Sequence, residues 1–86
     1  MPTSFVVYIL QSKSSGRFYV GHTNDISDRL SRHNAGRVPA SKGKGPFEVV
    51  HVEHFATRAE AASRERAIKA KKSRQYIAAL VRTSRA

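Results

Sequence analysis

Phe5-Val-Val-Tyr-Ile-Leu-Gln-Ser-Lys-Ser-Ser-Gly-Arg-Phe-Tyr-Val-Gly-His22 is the stretch that decides the fold. Its two ends, Phe5–Leu10 and Arg17–His22, are rich in β-branched and aromatic residues, which suit a pleated, half-buried surface. Lys13-Ser-Ser-Gly16 between them reads as a turn, so the pair is expected to form an antiparallel hairpin. A turn centred on Lys13 and Ser14 places Tyr8 opposite Tyr19, with both phenols on one face of the sheet and near enough to act together. Register is decisive, because a slip of one residue sends the two rings to opposite faces.

Working outward, Thr23-Asn24-Asp25 starts a helix, with Thr23 or Asn24 as the cap and with Asp25 and Asp28 favoured by the helix dipole. Ile26, Leu30 and His33 recur at helical spacing, and Gly36 is placed to stop the helix. Residues Gly36 to Pro46 form a loop punctuated by Gly43, Gly45, Pro39 and Pro46, which carries Arg37, Lys42 and Lys44 and no acid. Phe47 to Phe55 reads as a third strand. Thr57-Arg-Ala-Glu60 is a capping box that opens a helix running to about Lys72. Ser73 caps a last, shorter helix containing Tyr76, Ile77, Leu80 and Val81. The order is ββαβαα, with no repeat and no linker.

The bulk composition narrows the function. Eighty-six residues make one domain with a thin core, and the absence of cysteine removes disulfides and thiolate metal sites while leaving the redox compartment open. The apolar run Phe5–Leu10 is too short for a signal peptide or a membrane span, so a cytoplasmic protein is expected. Sixteen Lys+Arg against six Asp+Glu give a formal charge of +10. Such a surface attracts polyanions by releasing their counterions, which makes nucleic acid the leading partner ahead of an anionic membrane. The basic C-terminal helix has too little bulky apolar surface to lie on a membrane. Basicity that serves no partner is the plain alternative.

Four side chains stand out for chemistry. Glu65 falls on the same helical stripe as Ala61 and Ile68, and is the sole acid in a stretch from Arg64 to Arg85 that holds eight Lys+Arg. A carboxylate facing a core needs a partner, either a metal ion or a neighbouring Lys or Arg. Arg29 lies between Ile26 and His33 on the first helix, where its guanidinium either grips a phosphate by paired hydrogen bonds or is solvated. His33, four residues on, is either a hydrogen-bonded structural histidine or part of the same site. Tyr8 and Tyr19 are either sheet aromatics or phenols made useful as bases by a nearby cation. Two other patterns fail. Gly43-Lys44 is followed by Gly45 and lacks the upstream glycine of a phosphate-binding loop. His51 and His54, three apart on a strand, face opposite sides and make no zinc chelate.

Val7-Tyr8-Ile9, Tyr19-Val20-Gly21, Asp28-Arg29-Leu30 with His33-Asn34, and Arg64-Glu65 with Ile68-Lys69 occur in that order, and together they resemble the GIY-YIG nucleases over about Phe5 to Leu80. That superfamily includes the N-terminal nuclease of nucleotide excision repair, certain homing endonucleases and some restriction enzymes. The chain is most similar to its small stand-alone bacterial members. The resemblance implies an α+β fold, a small three-stranded antiparallel sheet flanked by helices, and hydrolysis of DNA with one divalent cation, Mg²⁺ or Mn²⁺. By that analogy Glu65 is the metal ligand, with waters and a substrate phosphate completing the shell. Arg29 neutralises charge on the phosphate, one of Tyr8 and Tyr19 activates or positions the attacking water, and His33 assists. Arg37, Lys42, Lys44, Lys69, Lys71, Lys72 and Arg74, with His22 beside the second tyrosine motif, would hold the nucleic acid.

The chain departs from the pattern in three places. Val7 replaces the glycine of the first motif, and His22 follows the second where repair-type relatives often have lysine. No asparagine follows Asn34, and Gln75 or Ser73 is left to stand in for the one many members carry after the glutamate. The expectation is a metal-dependent DNA endonuclease with one site per chain, suited to single-stranded, nicked or branched substrates. RNA is the other nucleic acid it could take, and monomer and weak dimer are both open. The rivals are a non-catalytic nucleic-acid-binding protein on the same fold and a small RNA- or ribosome-associated basic protein.

Overall fold

Strand β1 (Phe5–Ser12) is the middle strand of the protein, pairing antiparallel with β2 (Phe18–Thr23) on one side and β3 (Phe47–Phe55) on the other. Its unbroken run of buried residues, Val6–Leu10, accounts for that place, since a middle strand packed on both faces has no solvent side. Helix α1 (Ile26–Asn34) follows β2, a 3-10 turn (Pro39–Ser41) interrupts the loop after it, and α2 (Arg58–Ala70) and α3 (Arg74–Arg85) follow β3. This computed structural model describes residues 4–85, apart from the side chains of Ala40 and Arg85. The single domain expected over 1–86 therefore has residues 1–3 and Ala86 outside the described residues. The ββαβαα order and the three-stranded antiparallel sheet are as expected.

The hairpin register is not. Tyr8 pairs with Gly21 and Leu10 with Tyr19, so the turn is centred on Ser14 and Ser15. All four residues Lys13–Gly16 are loop, closed by Ser12 N donating to Arg17 O at 2.9 Å and Gly16 N to Ser12 O at 2.9 Å. Gly16 takes φ +76°, a left-handed conformation that completes the turn without a Cβ penalty. The shift from the expected register is two residues, which preserves side-chain parity, so both tyrosines still face one side of the sheet, offset diagonally.

The two faces of the sheet are covered separately. Tyr8, Leu10 and Phe47 pack under α1 through Ile26 and Leu30, while Val7 and Ile9 pack against Ala61 and Ile68 of α2 and Val81 of α3. Strand β3 contributes to both, and a bulge shifts its alternation part-way along. Ile9 pairs with His51 but Leu10 with Val49, leaving Val50 as the extra residue. Phe47 and Val49 accordingly join the α1 face, whereas Val50 joins Ile9 and Val81 on the other.

Local signals set the helix ends. Asp25, not Thr23 or Asn24, caps α1, accepting from Asp28 N at 3.0 Å, and α1 closes at Ala35 just before Gly36 at φ +74°. The capping box at Thr57 and Glu60 is formed in both directions. Helix α2 stops at Ala70, shorter than expected, because Lys72 turns left-handed at φ 48°. Ser73 Oγ then accepts from Tyr76 N at 3.1 Å at the head of α3.

On the α2 and α3 side, Glu53 accepts from Arg64 at 2.8 and 3.1 Å and contacts His51 Nε2 at 2.8 Å, while Arg64 also donates to the Tyr76 hydroxyl at 3.4 Å. His51 is thus engaged with Glu53 and Ser84, and His54 is exposed, so the pair forms no chelate. No helix of the described residues is long and apolar enough to cross a membrane.

Candidate active site

Strand β2 is an edge strand, and a cleft of about 790 Å³ runs along it. Arg29 and His33 of α1 line it together with Tyr8 and Tyr19 from one face of the sheet, and Glu65 and Lys69 of α2 line it from the other face. Five residues read from sequence as catalytic, Tyr8, Tyr19, Arg29, His33 and Glu65, therefore share one cavity.

A directed chain of hydrogen bonds organises the α1 side. Arg29 Nε donates to the Tyr8 hydroxyl at 3.2 Å, and that hydroxyl lies 3.2 Å from His33 Nε2. His33 Nδ1 is 2.7 Å from Ser41 Oγ, which in turn points to Val38 O at 3.5 Å. One assignment uses all of these contacts. Ser41 donates to the carbonyl and accepts from His33 Nδ1–H, which leaves Nε2 as a lone pair for the Tyr8 proton. Burial, and then the Arg29 charge, push the His33 pKa below its ordinary 6.5, which favours the neutral ring. The ring is held edge-on between Tyr8 at 5.9 Å and Phe47 at 5.7 Å. Asn34 Oδ1 fixes the start of β3 by accepting from Phe47 N at 2.7 Å.

Gly21 makes room for this arrangement. A Cβ at that position would lie 2.3 Å from the Tyr8 hydroxyl oxygen and 2.6 Å from Cζ, so the glycine of Tyr19-Val20-Gly21 is a hollow for the Tyr8 ring. Tyr19 packs edge-on against Phe47 at 5.4 Å, and its hydroxyl is buried with no hydrogen-bond partner among the described residues. An unpaired buried hydroxyl costs about 1–3 kcal/mol, a cost that a polar group entering the cleft would remove.

Glu65 is 17% exposed at its side chain and held from two sides, His22 Nδ1 to Oε1 at 2.5 Å and Lys69 Nζ to Oε2 at 2.5 Å. Burial raises its pKa, but the hydrogen bonds from Lys69 and His22 outweigh burial, and the group stays below the ordinary carboxyl value. It is an ionised carboxylate at neutral pH. Among the described residues no set of three or more His, Cys, Asp or Glu clusters to hold a metal. One hard oxygen donor on an open cleft suits Mg²⁺ or Mn²⁺, which keep several waters, and does not suit zinc.

Of the residues read as nucleic-acid contacts, His22, Lys69, Lys72 and Arg74 line the cleft. Arg37 borders a smaller adjoining pocket of about 350 Å³ with Arg29 and Arg32. Lys71 sits over the Tyr76 ring at 5.4 Å, and Lys42 and Lys44 are exposed on the loop, outside the cleft lining. The Lys44 carbonyl ties that loop to the hairpin by accepting from Ser12 Oγ at 2.6 Å. Sequence reasoning missed Ser41, which is fully buried behind His33, and the contact of His22 with Glu65. Nothing in the glycine- and proline-punctuated loop marks Ser41. The position of His22 directly after the Tyr19-Val20-Gly21 motif was the available signal for the second.

Comparison with known proteins agrees with the geometry. The family model described as the GIY-YIG catalytic domain matches residues 4–77. A UPF0213 protein of Oceanobacillus iheyensis is 37% identical over 70 residues, covering 80% of each chain. One from Haloquadratum walsbyi is 42% identical over 64 residues, covering 73% of this chain and 71% of its own. The solution NMR structure of a UPF0213 protein from Bacillus halodurans superposes with a TM-score of 0.58 at 33% identity, covering 93% of this chain and 84% of that one. With the family model spanning the sheet, α1, α2 and the cleft between them, the chain belongs to the GIY-YIG catalytic domain family.

Proposed function

We propose that this protein is a divalent-metal-dependent endonuclease that hydrolyses DNA phosphodiester bonds at one site per chain. The observation that carries the reading is the convergence, in one cleft along the β2 edge, of the Arg29–Tyr8–His33 chain with the ionised Glu65. Glu65 would hold Mg²⁺ or Mn²⁺, and the ion when bound supplies positive charge that polarises the phosphate. Arg29 holds a phosphate oxygen beside the tyrosine. Of the two phenols, Tyr8 has the better-defined proton route. An attacking water gives its proton to the Tyr8 oxygen as the Tyr8 proton passes to His33 Nε2, and the hydroxide forms the new P–O bond as the bond to the departing oxygen breaks. Tyr19, with its hydroxyl buried and unpaired, is suited to contacting a group already seated in the cleft.

A panel of Mg²⁺, Mn²⁺ and Ca²⁺ against single-stranded, duplex and branched DNA and RNA tests this, with Glu65→Gln as control. Metal-dependent cleavage that Glu65→Gln abolishes while leaving the fold intact is expected. Cleavage by the variant at the parent rate would remove Glu65 from the role. The second reading, a protein that binds nucleic acid without cutting it, is favoured by one observation: both Glu65 oxygens are engaged by His22 and Lys69. Binding without turnover in every metal would select it.

A further inference from the structure

Arg74 is exposed yet fixed in place. Its guanidinium lies over the Phe18 ring, Cζ 4.8 Å from the centroid, and Nη1 donates to the Gly16 carbonyl at 3.1 Å. The hairpin loop and the ring thus orient a side chain that would otherwise sample many rotamers, so a ligand meets it already ordered. Arg74 and Phe18 both line the cleft that contains Glu65.

The orientation suits a base better than a phosphate. A phosphate is gripped in the guanidinium plane by paired N–H groups, and the Nη1 bond to Gly16 occupies part of that plane, leaving the Nε and Nη2 edge. With Cζ held over the Phe18 ring, a guanidinium lying flat on it would present a weakly hydrated outer face, the kind of surface on which an unpaired base stacks. Lys69 and Lys72, which line the same cleft between Glu65 and Arg74 in sequence, supply the point charges that a backbone needs. We propose that the Phe18–Arg74 stack is a platform for one unpaired nucleobase of the strand in the cleft, and that it biases the protein toward single-stranded or splayed nucleic acid. In a regular duplex both faces of every base are already covered, so the platform adds nothing there. The proposal rests on the nucleic-acid reading of the cleft given above.

The test is a binding titration in the Glu65→Gln background, which requires no turnover. The probes are a fluorescent oligothymidine, an abasic strand of equal length, and a duplex. Arg74→Lys keeps the charge and removes the flat face, so it should weaken oligothymidine binding about 10-fold and move abasic and duplex binding by less than about 2-fold. Phe18→Leu, which keeps apolar packing against the Ile9 and Val81 cluster, should give the same pattern. A matched oligouridine run alongside decides whether DNA or RNA supplies the base. Equal losses on base-bearing and abasic strands would make Arg74 a plain charge and overturn the proposal, as would no loss on either or no binding of single strands. If binding never depends on the bases while the parent protein cuts DNA with metal, the platform alone is defeated. Base dependence without cutting in any metal defeats the nuclease reading alone.

Discussion

Replacing Gly21 by alanine adds one methyl group at the most constrained point of the site. The new Cβ would stand 2.3 Å from the Tyr8 hydroxyl oxygen, 2.6 Å from Cζ and 3.0 Å from Cε2, where ordinary contact begins at 3.4 Å. The ring must therefore retreat by about 1 Å, and it is 2% exposed, so it cannot swing into solvent. Overpacking of this kind costs about 1–3 kcal/mol, and losing the charge-assisted bond from Arg29 costs about 1.5–3 kcal/mol. Because one movement relieves the clash at the expense of the bond, the two do not simply add. A net destabilisation of about 2–4 kcal/mol is expected, a drop of roughly 10–30 °C in Tm for a domain this small. A displacement of that size in a catalytic group should also cut turnover by about 10²-fold or more. Thermal melts followed by circular dichroism read the first effect and single-turnover cleavage the second. Adding Tyr8→Phe removes the nearest atom, and should restore part of the stability and none of the cutting. A Gly21→Ala protein that melts within about 2 °C of the parent would refute the reasoning, since 1 kcal/mol is worth about 4–8 °C here.

Arg29→Ala should lower the single-turnover rate by about 10²-fold or more at saturating DNA while weakening binding far less, whereas a defect confined to binding would assign Arg29 to docking. Acid stability should depend on the Glu53–Arg64 pair. The hydrogen bonds from Arg64 hold the Glu53 carboxyl below its ordinary 4.5, so the folded form has the lower pKa, and its contribution is complete above pH 4.5 and lost as pH falls through the depressed value. Glu53→Gln should flatten the pH dependence of the urea midpoint below pH 4.5, and an unchanged profile would show that the pair carries no pH-linked stability.

Both tyrosines facing the cleft, the helical pairing of Arg29 with His33, and the inward Glu65 were all legible in the sequence, because each is a matter of parity or periodicity within one element. Register was misjudged by treating Lys13–Gly16 as a turn centred on two residues. Taken as a four-residue loop, the same stretch pairs Ser12 with Arg17 and Tyr8 with Gly21. The result for the tyrosines survived only because the error was an even number of residues. Ser41 and the clasp of His22 on Glu65 were beyond reach for a different reason. Each joins residues from separate elements, and no local pattern encodes which loop atom reaches a given histidine.

The bulge at Val50 has a bearing on which changes of length this chain can tolerate. Insertions are usually absorbed in loops, and a strand that alternates regularly punishes every frame shift alike. Strand β3 differs, since its first residues belong to the hydrophobic layer that supports His33 and Tyr19, and its last carry the carboxylate that anchors α2. Deleting Val50 would restore regular alternation and leave the flanking pairs as they are, Phe47 opposite Ser12 and Glu53 opposite Val7. A second deletion would have no spare residue to draw on, and would turn Phe47 from the site or Glu53 from Arg64. The extra residue is thus a reserve of length held inside the strand, one step that can be given up before either layer loses its contact.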